Sequence, residues 1–122
     1  MSQKVWIANS SGHTYTAAEK FGELKIITNG HIDFTQLERV KIIVASTVID
    51  SDPEDYLLLS GATIVCVLCA LLWIAHHGKI KLLNWDRHNE DGDGFYREMI
   101  ITSDNLEKLN SFLRGNNEQS RS

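Results

Sequence analysis

From Tyr56 to Ala75 the chain carries no charged residue, and a run of that length is enough to cross a bilayer as one helix. Acidic residues precede it (Asp50, Asp52, Glu54, Asp55), and His76, His77, Lys79 and Lys81 follow it. Its punctuation favours a different use. Ser60-Gly61 is a turn pair, and Tyr56-Leu57-Leu58-Leu59 before it has the length of a buried strand. From Ala62 the run reads as a helix. Gly78 sits where a helix C-terminal glycine belongs, and Lys79-Ile80-Lys81-Leu82-Leu83 resumes as a strand. The run is therefore predicted to be a soluble βαβ unit. Its helix should be buried on all sides, and an oligomer interface should cover any part left exposed.

The remaining segments fit the same plan. Val5-Trp6-Ile7-Ala8 reads as a first strand, Thr14 to Phe21 as a short helix, and Leu24 to Thr28 as a second strand stopped by Asn29-Gly30. Phe34, Leu37, Val40, Ile43 or Val44, and Thr47 or Val48 recur at helical spacing over about 34–49. Arg87 to Gly94 forms a polar loop, and Phe95 to Ile101 alternates as an edge strand. Asp104 to Arg114 reads as a closing helix, capped by Asp104 with Glu107 and ended by Gly115. The expected architecture is α/β: a single, three-layer-like domain with a small, mostly parallel sheet, a buried central helix and an antiparallel edge strand. It occupies residues 1–115 as one ligand-binding domain, with a disordered tail over 116–122.

Composition narrows the function classes. With 122 residues there is room for one core, and 43% hydrophobic against 23% charged residues is ordinary globular usage. A formal net charge of −4 argues against a nucleic-acid polymer as partner, which needs a positive field. A small phosphorylated ligand stays open, because backbone amides and one arginine suffice for it. Cys66 and Cys69 have CxxC spacing in uniformly apolar surroundings, so they read as reduced, buried thiols and not as a metal or redox pair. No secretory signal is recognisable, and a cytoplasmic location with no membrane partner is expected. Asn89 to Gly94 matches the opening of a calcium loop, but the twelfth position is Ile100 where a glutamate is required. No metal and no cofactor are expected.

In sheets with parallel strands, ligands bind outside the carboxyl ends of the strands. Two loops there are rich in small hydrogen-bonding residues. The first runs Asn9-Ser10-Ser11-Gly12-His13-Thr14-Tyr15 and offers Asn9, Ser10, Ser11, His13 and Tyr15 to a base, ribose or phosphate. The second, Ser60-Gly61-Ala62-Thr63, opens the apolar helix, whose free amides and positive dipole end suit a phosphate. The alternative is that Ser60 or Thr63 simply caps that helix. Trp85 and Phe95 offer rings for stacking, and Arg87 and Arg97 offer cations for phosphates. Neither a GxxxxGK nor a GxGxxG fingerprint occurs. A Ser–His pair exists in Ser10, Ser11 and His13, but no spacing demands a nucleophile aimed by a base.

Several short segments carry a resemblance. Ile7-Ala8-Asn9-Ser10-Ser11-Gly12-His13, Phe21-Gly22-Glu23-Leu24, Asp52-Pro53-Glu54-Asp55-Tyr56-Leu57-Leu58-Leu59-Ser60, His77-Gly78-Lys79 and Leu82-Leu83 look like small phage and prophage proteins. Over about 4–101 the chain resembles the first family of Thoeris anti-defence proteins. That resemblance implies a homo-oligomeric sponge. It would bind cyclic ADP-ribose isomers made by bacterial immune TIR enzymes, or cyclic oligonucleotides, without cleaving them. Two other classes remain open: a hydrolase of a nucleotide signal using His13, and a protein-binding inhibitor of a host enzyme.

Overall fold

A computed structural model describes residues 3–12, 14–86 and 94–120. Five strands form one sheet: β1 (Lys4–Ser10), β2 (Glu23–Asn29), β3 (Tyr56–Leu58), β4 (Lys79–Asp86) and β5 (Phe95–Thr102). Their order is β2-β1-β3-β4-β5. The first four are parallel, and β5 pairs antiparallel with β4 as the edge strand expected from sequence. Among the described residues there are three α-helices: α1 (Leu37–Asp50), α2 (Thr63–His77) and α3 (Ser103–Ser120). Among the described residues no helix is long and apolar enough to cross a membrane. The uncharged run divides into β3 and α2, as the turn at Ser60-Gly61 required.

Each sheet face has its own core. On one face, Ala8, Ile27, Leu57, Ile80 and Leu82 meet Val40, Val44 and Val48 of α1 and Val65, Cys69 and Trp73 of α2. On the other, Val5, Ile7, Tyr56, Leu58 and Leu83 are covered by Tyr15 and Ala18 at the 3₁₀ turn Thr16–Phe21. The third layer is thus a single short turn where a short helix was expected. Trp73 is fully buried at the centre, edge-on to Trp6 and His77, and its indole N–H has no hydrogen-bond partner among the described residues. Trp6 is only half-buried, because its indole N–H reaches out to donate to Asp55 (2.9 Å). The Asp55 carboxylate also accepts from the amides of Lys4 and Asp52, joining the starts of β1 and β3.

Four expectations are corrected. α2 is not buried on all sides: Val67 and Leu71 are exposed, because the sheet and α1 leave its outer face uncovered. The helical stripe over about 34–49 begins as a 3₁₀ turn, Phe34–Gln36, which turns Phe34 out to 83% exposure instead of into the core. At the C-terminal end, Thr102 and Asn105 cap α3 reciprocally, in place of Asp104 and Glu107. α3 then runs through Gly115 to Ser120. A glycine stops a helix only when it adopts the left-handed conformation, and Gly115 has no positive φ, whereas Gly78 has φ +74° and ends α2 as expected.

His77 gives this packing a pH dependence. Its Nε2 lies 2.8 Å from Ser51 Oγ, and that hydroxyl already donates to the Val48 carbonyl. Burial first, then the neighbouring His76, lower its pKa below the ordinary 6.5, against the opposing pull of Asp52 and Asp55. A depressed folded pKa means the contribution is complete above 6.5 and is lost as pH falls through the lowered value. The midpoint of thermal unfolding should therefore fall more steeply on acidification in the wild type than in His77→Gln, which keeps a donor for Ser51. Equal slopes would contradict this assignment.

Candidate functional site

The strand order places a topological switch point between β1 and β3. The chain leaves β1 toward the 3₁₀ turn on one face and leaves β3 toward α2 on the other. The two loops diverge there and leave a crevice at the carboxyl edge. Asn9 holds this edge together. It is 1% exposed, and its side-chain amide donates to Thr28 Oγ1 (2.9 Å) and the Gly30 carbonyl (3.1 Å). Its Oδ1 accepts from the Ala62 amide (3.0 Å). One side chain thus joins the ends of β1, β2 and β3. The backbone adds Gly30 N–H to the Ser10 carbonyl (2.9 Å).

The crevice is a cleft of ≈ 780 Å³ between the β1 loop, the β2–α1 loop and the start of α2. Ser10, Ser11 and Gly12 line one side, and Gly61, Ala62, Thr63 and Ile64 line the floor. Ala62 is the N-cap of α2, and no side-chain hydrogen bond caps the helix, so neither Ser60 nor Thr63 takes that role. The first turn also holds no acidic residue. The Ala62 amide is taken by Asn9 and those of Val65 and Cys66 by the Ala62 carbonyl, so the Thr63 and Ile64 amides and the positive dipole end are what the helix offers a cleft whose other walls are largely apolar. The β2–α1 loop supplies those walls through Ile32, Phe34 and Leu37, with His31 and Asp33 as its polar members. Asp33 accepts from the Thr35 amide (3.0 Å), and that bond, with the Thr35 hydroxyl and His31, holds its carboxyl below the usual range despite some desolvation.

A second cleft of ≈ 420 Å³ opens on the other side of the same loops, lined by Tyr15, Ser60, Asn84, Trp85 and Tyr96 among others. Tyr15 Oη and Ser60 Oγ are 2.8 Å apart, and the Ser11 amide donates to the phenol at 3.4 Å. Burial raises the Tyr15 pKa, but hydrogen bonds with Ser60, Ser11 and Ser10 outweigh it and leave the phenol below its ordinary value. Trp85 and Tyr96 stand opposite each other across the β4–β5 ladder with ring centroids 4.9 Å apart. Trp85 is half-exposed, and Gly94 lies against its indole.

The expected site residues divide accordingly. Ser10, Ser11, Gly61, Ala62 and Thr63 come together in the first cleft, with Asn9 as their buried anchor. Tyr15, Ser60 and Trp85 come together in the second. Phe95 and Arg97 are not brought to either. Strand alternation puts them on the opposite face of β5 from Tyr96, and Arg97 pairs with Asp86 (2.8 Å) while lying over the Phe95 ring. His13 and Arg87 lie outside the described residues, as do His88 and Asn89–Asp93 of the acidic loop. Sequence reasoning missed the whole β2–α1 wall, because Phe34 fitted the helical stripe. Tyr96, next to Phe95 in sequence, is the ring that register brings to the second cleft beside Trp85.

The cysteines behave as small hydrophobes. Burial pushes the Cys66 thiol up, and burial together with Cys66 pushes Cys69 up to about 12, so neither is a thiolate. Among the described residues no group of three or more histidine, cysteine, aspartate or glutamate side chains is placed to hold a metal ion.

Fold and crevice define a small open-sheet α/β protein with its main cleft at a β1/β3 switch point. The family model described as Phage Pam3 gp32-like protein matches residues 3–102, all five strands of the sheet, and the chain belongs to that family of phage proteins. No curated protein and no solved structure matches it significantly.

Proposed function

We propose that this phage-family protein binds and sequesters, without cleaving it, a small cyclic nucleotide signal of the cyclic ADP-ribose type. The observation that carries the reading is the uncapped, acid-free N-terminus of α2 on the floor of an apolar-walled switch-point cleft. Such a floor suits a diphosphate, whose charge replaces the missing cap. The ribose hydroxyls have Ser10 and Ser11 at hand, and the half-exposed Trp85 in the adjoining cleft offers a stacking face for a base. The resemblance to Thoeris anti-defence proteins points the same way and supplies the biological setting, interception of an immune signal in the host cell.

The test is native mass spectrometry with added cyclic ADP-ribose isomers, followed by release and chromatography of whatever is bound. Intact ligand supports the sponge. Cleaved ligand replaces it with a hydrolase, and no bound mass leaves an inhibitor that acts on a host protein. Ala62→Asp sharpens the test. A carboxylate at the N-cap supplies the missing hydrogen bond and should stabilise the helix by about 1 kcal/mol. The same charge occupies the anion position and should weaken ligand binding at least tenfold. Unchanged affinity in this variant would remove the α2 terminus from the site.

A further inference from the structure

We infer that α3 is a homotypic docking helix, which pairs with α3 of a second copy of this chain. Leu106, Leu109, Phe112 and Leu113 are between 46% and 65% exposed, and none of them belongs to either core cluster. The helix is fixed to the domain at its start, through the Thr102–Asn105 reciprocal cap and the Ser103 amide on the Gly78 carbonyl (2.9 Å). The family match ends at residue 102, so this stripe lies outside the matched residues. An amphipathic helix that buries no face of its own gains too little from propensity to justify a row of leucines.

Pattern and charge identify the occupant. Leu106, Leu109 and Leu113 follow the alternating spacing of three and four that forms a coiled-coil seam. The residues flanking that seam, Asn105, Asn110 and Phe112, carry no charge that would repel an identical helix. The charged residues from Asp104 to Arg114 lie off the seam and balance, Asp104 and Glu107 against Lys108 and Arg114, with Asp104 and Lys108 paired at 3.1 Å. A membrane surface would call for a strongly basic polar face, and a charged protein partner for an excess of one sign. A neutral, self-compatible seam fits a second copy. The seam is short beside a standard interface of roughly 800 Å² per partner, so the dimer should be reversible.

Sedimentation equilibrium of the full chain tests this at protein concentrations on the order of 100 μM. The wild type should reach twice the mass of the chain, and Leu109→Glu with Leu113→Glu should return it to the single-chain mass. Leu106→Glu alone should raise the dissociation constant at least tenfold. Lys108→Glu, off the seam, should leave the dimer in place. Circular dichroism of each variant reports whether the domain is intact, and a change there in the double variant passes the decision to Leu106→Glu and the wild-type mass. A wild type that stays at single-chain mass, or seam variants that still dimerise, would overturn the proposal. Binding of monomer to anionic vesicles would overturn it too.

Discussion

Gly61→Ala should be among the most damaging single substitutions in this chain, although residue 61 is itself exposed. Gly61 has φ +78°, a conformation that costs a side-chain-bearing residue about 1–2 kcal/mol. The added methyl would also press on the Asn9 amide and stand 2.6 Å from the Asn9 backbone oxygen. Backbone cannot rotate away, so the turn or β1 must shift, an overpacking cost of roughly 1–3 kcal/mol. Together these predict a loss of about 2–5 kcal/mol, a large fraction of the stability of a small domain. Urea unfolding should show it as a lower midpoint with an unchanged slope. On the proposed function, ligand affinity should fall as well, since the shift occurs on the floor of the cleft. A variant within 0.5 kcal/mol of wild type, by the ordinary range for neutral surface changes, would mean that the turn relaxes freely and that Gly61 does not fix the site.

Much of this fold is legible in the sequence because its signals are local. Asn29-Gly30 ends β2, Gly78 ends α2, and the aromatic and aliphatic residues of Phe95 to Ile101, bounding Arg97-Glu98, form the edge strand β5. What stayed hidden depends on long-range placement. A run such as Thr63 to His77 is apolar on every side, so periodicity does not tell which face meets the sheet and which is left bare. Phe34 satisfies the spacing of α1, and only the turn that precedes the helix, held by Asp33 on the Thr35 amide, sends it to the cleft mouth. The site was half legible for the same reason. The rule that ligands bind at carboxyl ends selected the β1 and β3 loops, but it gave no access to the β2–α1 wall. Nor did it separate Trp85 from Phe95, which register and strand alternation place on opposite faces of the sheet. Asn9, expected as a ligand contact, lines the cleft, and its burial and three hydrogen bonds also make it the anchor of the other lining residues.

That anchoring role leads to the second large effect. Asn9→Ala removes the bonds to Thr28 and Gly30 and leaves the Ala62 amide without its acceptor. An orphaned, partly buried amide costs about 1–3 kcal/mol, and each of the two lost neutral hydrogen bonds about 1 kcal/mol more, so roughly 3–5 kcal/mol is expected. Asn9→Asp separates charge from shape. The new carboxylate can still accept from Ala62, but it faces the Gly30 carbonyl and the Thr28 oxygen where two N–H donors stood. Burial and those oxygens raise its folded pKa above the unfolded value of about 3.9. By linkage, the variant is then closest to wild type below about pH 4 and loses stability as pH rises through the raised folded pKa. Measuring the difference from wild type at each pH removes the contribution of all other groups. A pH-independent deficit would show that the position is solvated and not the buried junction of three loops. The two substitutions should also couple. With Asn9→Ala in place, the methyl of Gly61→Ala no longer meets an amide side chain but still meets the residue 9 backbone. The double variant should therefore lose less than the sum of the singles, by at least about 0.5 kcal/mol, and strict additivity would mean that the two residues act on the cleft independently.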